Sequence, residues 1–117
     1  MATRVEEKRK YLRLSVPIEV GYVLPNSDRM YTAVTKDICV SGIRFTTIEK
    51  LQNGISVELK LKLPNIQNPV HAYGQIVWQK KTNFEDNIST DVGIEFLNIE
   101  EDNKNTFLKY LCDLIYG

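Results

Sequence analysis

The stretch Ile55–Leu63, with the sequence ISVELKLKL, carries the clearest secondary-structure signal in the chain. Apolar residues occupy every second position, and serine, glutamate and lysine fill the positions between them. Side chains of a β-strand point alternately to the two faces of a sheet, so this period of two predicts a strand with one face in a core and the other in water.

Five further segments around this strand are predicted to be strands, although Val70–Lys81 alternates less cleanly than the others. They are Ser15–Tyr22, Tyr31–Asp37, Ile43–Thr47, Val70–Lys81 and Asp91–Leu97. Turn-forming residues separate them. Pro17 indicates an edge or strand-start position, because proline has no N–H to donate to a neighbouring strand. The polar residues 82–90 are predicted to form a mobile loop.

The end of the chain changes period. Its apolar residues recur at helical spacing, which predicts a helix with one apolar face. They are Phe107, Leu108, Leu111, Leu114 and Ile115. Asn98 and Glu101 resemble a capping box at the start of this helix. Short antiparallel strands joined by tight turns favour a closed barrel or a sandwich, and the terminal helix would cover one opening or flank.

The composition is that of one ordinary globular domain. The chain has 117 residues, of which 43% are hydrophobic and 26% are charged, so it can bury a core without disulfides. Its formal net charge of zero argues against broad electrostatic binding to nucleic acid or anionic lipid. Because the sequence shows neither a signal peptide nor an apolar run that could span a bilayer, a cytoplasmic protein without membrane insertion is expected.

The cysteines and the histidine give no sign of a metal site or a catalytic centre. Cys39 and Cys112 are far apart and are expected to be reduced. His71 is the single histidine and has no cysteine or carboxylate at ligand spacing. With no nucleophile–base pair evident, the chain is not expected to be an enzyme or to need a cofactor.

Residues 1–13 form a charged segment that is expected to be a flexible arm in front of a domain at residues 14–117. Within it, Arg9 and Arg13 stand four positions apart. A guanidinium group fits a phosphate, or the O6/N7 edge of guanine, through two parallel hydrogen bonds. Two such groups could fold over an anionic ligand. The plainer alternative is a solvated charged tail.

Asp37 ends one predicted strand and Gly42 closes the turn that follows. A carboxylate is the acceptor that guanine N1–H and N2–H₂ require. Glycine lets a backbone approach a ligand closely, and N–H groups of such a turn can hold phosphate oxygens. The alternative is an ordinary β-turn, since aspartate and glycine both favour turns.

Taken together, the two motifs resemble those of the PilZ domain family of cyclic di-GMP receptors. That family combines R-x-x-x-R in an N-terminal arm with a second motif of the form Asp or Asn, x, Ser, x, x, Gly. The segments Gly74–Trp78 and Val92–Phe96 also look like the family's later strands, and the resemblance runs from about Lys8 to Leu114. It implies a six-stranded antiparallel β-barrel with a C-terminal α-helix, the PilZ-like split barrel, and hence an all-β protein.

The resemblance also implies roles for individual residues. Arg9 and Arg13 would hold phosphates and guanine edges, Asp37 would bind a guanine, and Gly42 would let the turn approach the ligand. Lys8 occupies the position that, in the family, is linked to binding of one ligand or a stacked pair. A basic residue there favours the pair.

One position departs from the family motif, because Cys39 stands where the family has serine. A thiol is a weaker donor and acceptor than a hydroxyl, and losing one hydrogen bond to a charged group costs about 1.5–3 kcal/mol. Ser41 is discounted as a substitute, since alternation places it on the opposite face. Trp78 is expected to be a barrel-wall residue first, and a stacking partner for the ligand second.

The leading hypothesis is a cyclic di-GMP sensor whose arm becomes ordered on binding and which then signals to a partner protein, as a monomer or a ligand-linked dimer. The alternative is an interaction module that keeps the PilZ fold but has lost the nucleotide. A small nucleic-acid-binding barrel is disfavoured by the zero net charge and the scattered aromatic residues.

Overall fold

The computed structural model describes residues 12–84 and 87–116. Within these residues, six β-strands precede one α-helix. Their bounds are β1 Glu19–Val23, β2 Met30–Cys39, β3 Gly42–Thr47, β4 Ser56–Lys62, β5 Val70–Phe84, β6 Asn87–Ile99 and α1 Glu101–Tyr116. Lys8 and Arg9 lie outside the described residues, as does most of the predicted arm.

The strands close into one antiparallel barrel in the order β1-β2-β3-β6-β5-β4. Closure gives every strand two neighbours. The expected six-stranded barrel with a C-terminal helix is therefore confirmed.

The barrel interior contains the apolar face of each strand. In β4, Val57, Leu59 and Leu61 are buried while the residues between them are exposed, as the alternation predicted. Tyr22 and Phe45 meet in this core with their ring centroids 5.1 Å apart. Burial of these side chains supplies the main driving force for folding.

The first strand begins later than the alternation predicts, because a side chain replaces some of the backbone hydrogen bonds that would pair it with β2. Pro17 cannot donate a hydrogen bond. Instead, the buried hydroxyl of Thr35 on β2 donates to Val16 O at 2.7 Å and accepts from Ile18 N at 2.9 Å. The regular strand starts only at Glu19, which fits the strand-start position expected for the proline.

The loop predicted for residues 82–90 is wrong. Strand β5 continues to Phe84 and β6 begins at Asn87, so this segment is a paired ribbon. The hydroxyls of Thr82 and Ser89 lie 2.8 Å apart across it. Because β3 pairs with β6 only as far as Thr90, the ribbon extends beyond the core. A strand outside the core needs no alternating apolar residues, so the polar sequence of this segment resembles that of a loop.

The predicted start of the helix is also wrong. Asn98 belongs to β6 and pairs with Tyr73, so it cannot cap the helix. The helix begins at Glu101, and the carbonyl oxygen of Glu100 accepts hydrogen bonds from its first turn. Asn103 accepts a hydrogen bond from His71 N at 2.8 Å, which fastens the helix to β5.

The helix buries only part of its apolar face. Phe107 and Leu111 are buried, and the Phe107 ring meets that of Phe96 edge-on at 5.5 Å between centroids. Leu114 and Ile115 are exposed. Within the described part of the chain, no helix is both long and apolar enough to cross a membrane.

Candidate functional site

A bulge in β2 turns Asp37 out of the barrel. The pairing between β2 and β3 shifts between Thr35 and Asp37, so that Lys36 is an extra residue in the strand. Beyond the shift, Ile38 pairs with Ile43 in the core, and Asp37 pairs with Arg44 on the outer face. One extra residue in a strand reverses the face of the sheet to which each following side chain points.

A second bulge does the same for Trp78 on β5. The pairing with β6 shifts between Ile76 and Trp78, with Val77 as the extra residue. Ile76 is fully buried, whereas Val77 is 44% exposed. Trp78 pairs with Gly93 and lies half-buried on the outside of the barrel. This bulge accounts for the imperfect alternation of the segment.

The two bulges align four residues in one row across the outer face of β2, β3, β6 and β5. Asp37 pairs with Arg44, Arg44 with Gly93, and Gly93 with Trp78. The indole lies directly over the glycine, because a Cβ at Gly93 would come within 2.1 Å of Trp78 Nε1. A carboxylate, a guanidinium and an aromatic ring are thereby placed side by side.

The turn between β2 and β3 closes one end of this row. Cys39 pairs with Gly42 across it, and the Cys39 thiol lies 3.2 Å from the Ser41 hydroxyl. Discounting Ser41 was wrong as a matter of geometry, because alternation ends where the chain reverses. Ser41 and Cys39 line the same pocket, so a hydroxyl lies beside the thiol that replaces the family serine.

Gly42 is required by the packing of the barrel itself. A Cβ at this position would lie 2.1 Å from the carbonyl oxygen of Ile94 on β6. The absence of a side chain therefore lets β3 approach β6. The role expected for Gly42 toward a ligand stays a prediction.

Arg13 is held near Asp37 by the residue that follows it. Leu14 forms an isolated antiparallel bridge with Ile38, with hydrogen bonds of 2.8 and 2.9 Å in both directions. Leu14 packs against the core, whereas Arg13 is exposed and lines the same pocket as Asp37.

These elements surround an open pocket of about 200 Å³. Five of the seven predicted site residues line it, namely Arg13, Asp37, Cys39, Gly42 and Trp78. Ser41, Arg44 and Glu95 complete its polar lining. Pockets that enclose a drug-sized ligand measure roughly 300–1,000 Å³, so this pocket alone would hold part of a dinucleotide.

Arg44 belongs to neither sequence motif, yet its side chain lies beside Asp37. Its Nε lies 3.0 Å from Asp37 Oδ2, and the two side chains are 34% and 11% exposed. The pair is held by charge, since Nε has no hydrogen-bond acceptor among the described residues. Only the register across the bulge brings the two side chains together.

A polar cluster borders the row on the same outer face. Asp91 Oδ1 accepts hydrogen bonds from Thr46 Oγ1 at 2.6 Å and from Lys36 Nζ at 3.1 Å. The Thr46 hydroxyl, with Lys36 and Arg44, holds the pKa of the Asp91 carboxyl below its ordinary value, against an opposing effect of burial. In residues 12–84 and 87–116, no group of histidine, cysteine and carboxylate side chains is placed to hold a metal ion.

Comparison with protein families gives one model, described as the PilZ domain, which matches residues 7–112. Among curated proteins, no sequence matches the chain.

Several solved structures share the fold. The complex of MrkH from K. pneumonia with c-di-GMP has a TM-score of 0.76 at 16% identity, and the match covers 92% of this chain and 52% of that one. The PilZ domain of Escherichia coli YcgR with c-di-GMP has a TM-score of 0.70 at 16% identity, covering 89% and 88%. MotI/DgrA, the inhibitor of motility of Bacillus subtilis, has a TM-score of 0.67 at 17% identity, covering 87% and 48%.

The present chain thus spans about half the length of MotI/DgrA and MrkH, and most of the length of the isolated YcgR domain. At such low identity, these structures show that the fold is shared.

Proposed function

Because the chain belongs to the PilZ domain family, we propose that it is a cyclic di-GMP receptor domain that binds its ligand in the pocket beside Asp37. Ligand binding would order the N-terminal arm, and the altered surface would signal to a partner protein. This proposal requires no catalytic step.

The observation that carries the proposal is the convergence of one exposed arginine and one carboxylate on a single pocket. Arg13 offers a planar fork of donors to a phosphate or to the O6/N7 edge of guanine. Asp37 offers acceptors to guanine N1–H and N2–H₂. Trp78 adds an aromatic surface on which a base can stack. All three residues line the same pocket.

The neighbouring structures support the same ligand. YcgR and MrkH, both similar in fold, were solved with c-di-GMP bound. MrkH is described as a c-di-GMP-dependent transcription regulatory factor, so absence of nucleic-acid binding stays a prediction for this chain.

The size of the pocket supports a role for the arm. A space of about 200 Å³ would cover only part of a cyclic dinucleotide, so enclosing the rest would take contacts from outside the barrel. Arg9 and Lys8 precede Arg13 by a few residues and would supply such contacts. Their contribution, and the ligand pair favoured by Lys8, are predictions from the family motif.

The replacement of the family serine by Cys39 is compatible with retained binding. The Ser41 hydroxyl, 3.2 Å from the thiol, can provide the donor and acceptor that a thiol provides poorly.

Titration of the purified protein with cyclic di-GMP in a calorimeter tests the proposal. We expect Arg13→Ala and Asp37→Ala each to weaken binding by about 2–5 kcal/mol, the cost of removing one partner of a desolvated charged contact. Arg29→Ala is the matched control, because Arg29 lies over the ring of Tyr31 and outside the pocket. Wild-type affinity in both pocket variants would refute the assignment of the site.

The second candidate is an interaction module that has the PilZ fold without the nucleotide, and Cys39 is the observation that favours it. In that case, the wild-type protein gives no heat with cyclic di-GMP at millimolar concentrations. Restoring the motif with Cys39→Ser then serves as the comparison. Binding by the Cys39→Ser variant alone would identify the thiol as the cause of the loss.

A further inference from the structure

The ion pair between Asp37 and Arg44 places hydrogen-bond donors beside hydrogen-bond acceptors. Arg44 Nε and Asp37 Oδ2 lie 3.0 Å apart on adjacent strands. A guanidinium can only donate hydrogen bonds, and a carboxylate can only accept them. Side by side, the two groups can together offer one donor and two acceptors to the edge of a ligand.

This pattern is the complement of one nucleobase edge. The Watson–Crick edge of guanine carries the O6 acceptor, the N1–H donor and the N2–H₂ donor in that order. Adenine has an N6–H₂ donor in the place of O6 and an N1 acceptor in the place of N1–H. Guanine therefore matches the pair at every position, whereas adenine places donor against donor and acceptor against acceptor.

We propose that Arg44 is a specificity-determining residue that donates to guanine O6 while Asp37 accepts from N1–H and N2–H₂. The inference rests on the proposed function, since it identifies how a guanine dinucleotide would be recognised in that pocket. Arg44 acts by direct contact with the base and also by holding the Asp37 carboxylate in place.

The state of Arg44 in the protein supports this role. Its Nε is buried against the Asp37 carboxylate, 3.0 Å from Oδ2, and therefore holds the ion pair. About a third of the side chain remains exposed to the pocket. The terminal NH₂ groups of the guanidinium can therefore donate to an acceptor that enters beside Asp37, while Nε keeps the ion pair.

The rest of the row is arranged to receive a flat ring. Gly93, the next residue in the row, has no side chain, and the indole of Trp78 covers it. A base bound by Asp37 and Arg44 would therefore meet an aromatic surface on the β5 side. Arg13 remains available for phosphate on the side of the turn.

The test compares the affinities of cyclic di-GMP and cyclic di-AMP for the wild type, Arg44→Met and Arg44→Lys. We expect Arg44→Met to weaken cyclic di-GMP binding about ten- to a hundredfold, the usual loss for one hydrogen bond to a charged group. Cyclic di-AMP should bind Arg44→Met as well as it binds the wild type, or better, because a mismatched donor has been removed. Arg44→Lys should recover part of the loss, since an ammonium still donates to O6.

A purely structural role for Arg44 gives a different result. If Arg44→Met weakens both nucleotides equally, or if Arg44→Lys binds cyclic di-GMP as poorly as Arg44→Met, the proposal is wrong. Unchanged cyclic di-GMP affinity in Arg44→Met also overturns it. Arg29→Met controls for loss of one positive charge elsewhere. A wild-type protein that fails to bind cyclic di-GMP would instead refute the receptor function on which the proposal rests.

Discussion

Two glycines of the barrel lie so close to neighbouring groups that neither position has room for a side chain. An added Cβ would be equally close to its nearest neighbour at Gly93 and at Gly42, at 2.1 Å in both cases. The neighbour of Gly93 is the indole of Trp78, which can move outward. The neighbour of Gly42 is the backbone of β6 at Ile94, which can move only if two strands separate.

We therefore expect Gly42→Ala to destabilise the protein by about 1–3 kcal/mol, as overpacking does in a rigid interior, and Gly93→Ala to cost less. Trp78 is the single tryptophan, so its emission maximum reports displacement of the indole in Gly93→Ala. Denaturant unfolding and fluorescence measure the two effects. Equal losses of stability, with unchanged emission, would contradict this explanation of the glycines.

At the scale of secondary-structure elements, the side chain of one strand substitutes for the backbone of another. Thr35 on β2 bonds both Val16 O and Ile18 N, on either side of Pro17. The chain can therefore join the barrel before regular pairing begins at Glu19. Removing this one hydroxyl should therefore lower the stability of the protein.

Thr35→Val keeps the shape of the side chain but leaves the buried N–H of Ile18 without its acceptor. We expect a loss of about 1–3 kcal/mol in the free energy of unfolding, the cost of one unsatisfied buried polar group. Thr32→Val, on the exposed face of the same strand, is the control and should change stability little. A Thr35→Val protein as stable as the control would show that the hydroxyl bridge is dispensable.

The alternation of apolar and polar residues predicted the strands that have one face in the core. Strand β4 is the clearest case, because every second residue is buried. The bulges at Lys36 and Val77 could not be predicted in this way, because a single extra residue in a strand leaves no repeating pattern in the sequence. The ribbon of β5 and β6 that extends past the pairing with β3 was missed because its sequence lacks alternating apolar residues.

The lining of the candidate pocket was predictable as far as its residues form a motif. Asp37 and Gly42 could be identified from their spacing, and Arg13 from its partner Arg9. Arg44 could not, because its contact with Asp37 depends on the register between two strands. Ser41 was misplaced because a tight turn does not continue the alternation of the strand before it.

At the scale of the whole molecule, Asp91 connects three strands. It belongs to β6 and accepts hydrogen bonds from Thr46 on β3 and from Lys36 on β2. Its pKa is lowered in the folded protein, chiefly by the Thr46 hydroxyl. The unfolded chain therefore binds more protons than the folded one between the two pKa values, and stability rises with pH in that range.

This contribution should be complete above the ordinary carboxyl pKa of about 3.9 and should disappear as pH falls through the lower folded value. At pH 7, we expect Asp91→Asn to be about 1 kcal/mol less stable than the wild type. Urea unfolding from pH 7 to about pH 2.5 should show this difference shrinking with acid. Asp28→Asn, in an exposed loop, is the control. A difference that grows below pH 4 would contradict the lowered pKa.

The two backbone hydrogen bonds at Leu14 have a further consequence for recruitment of the ligand. They tether the Arg13 guanidinium within one residue of a fixed point on β2. A group tethered this closely has a high effective concentration at its target, in the millimolar range or above. If the proposed function holds, Arg13 would therefore lose little translational freedom on binding a phosphate, and the first contact made by the arm would be an intramolecular event.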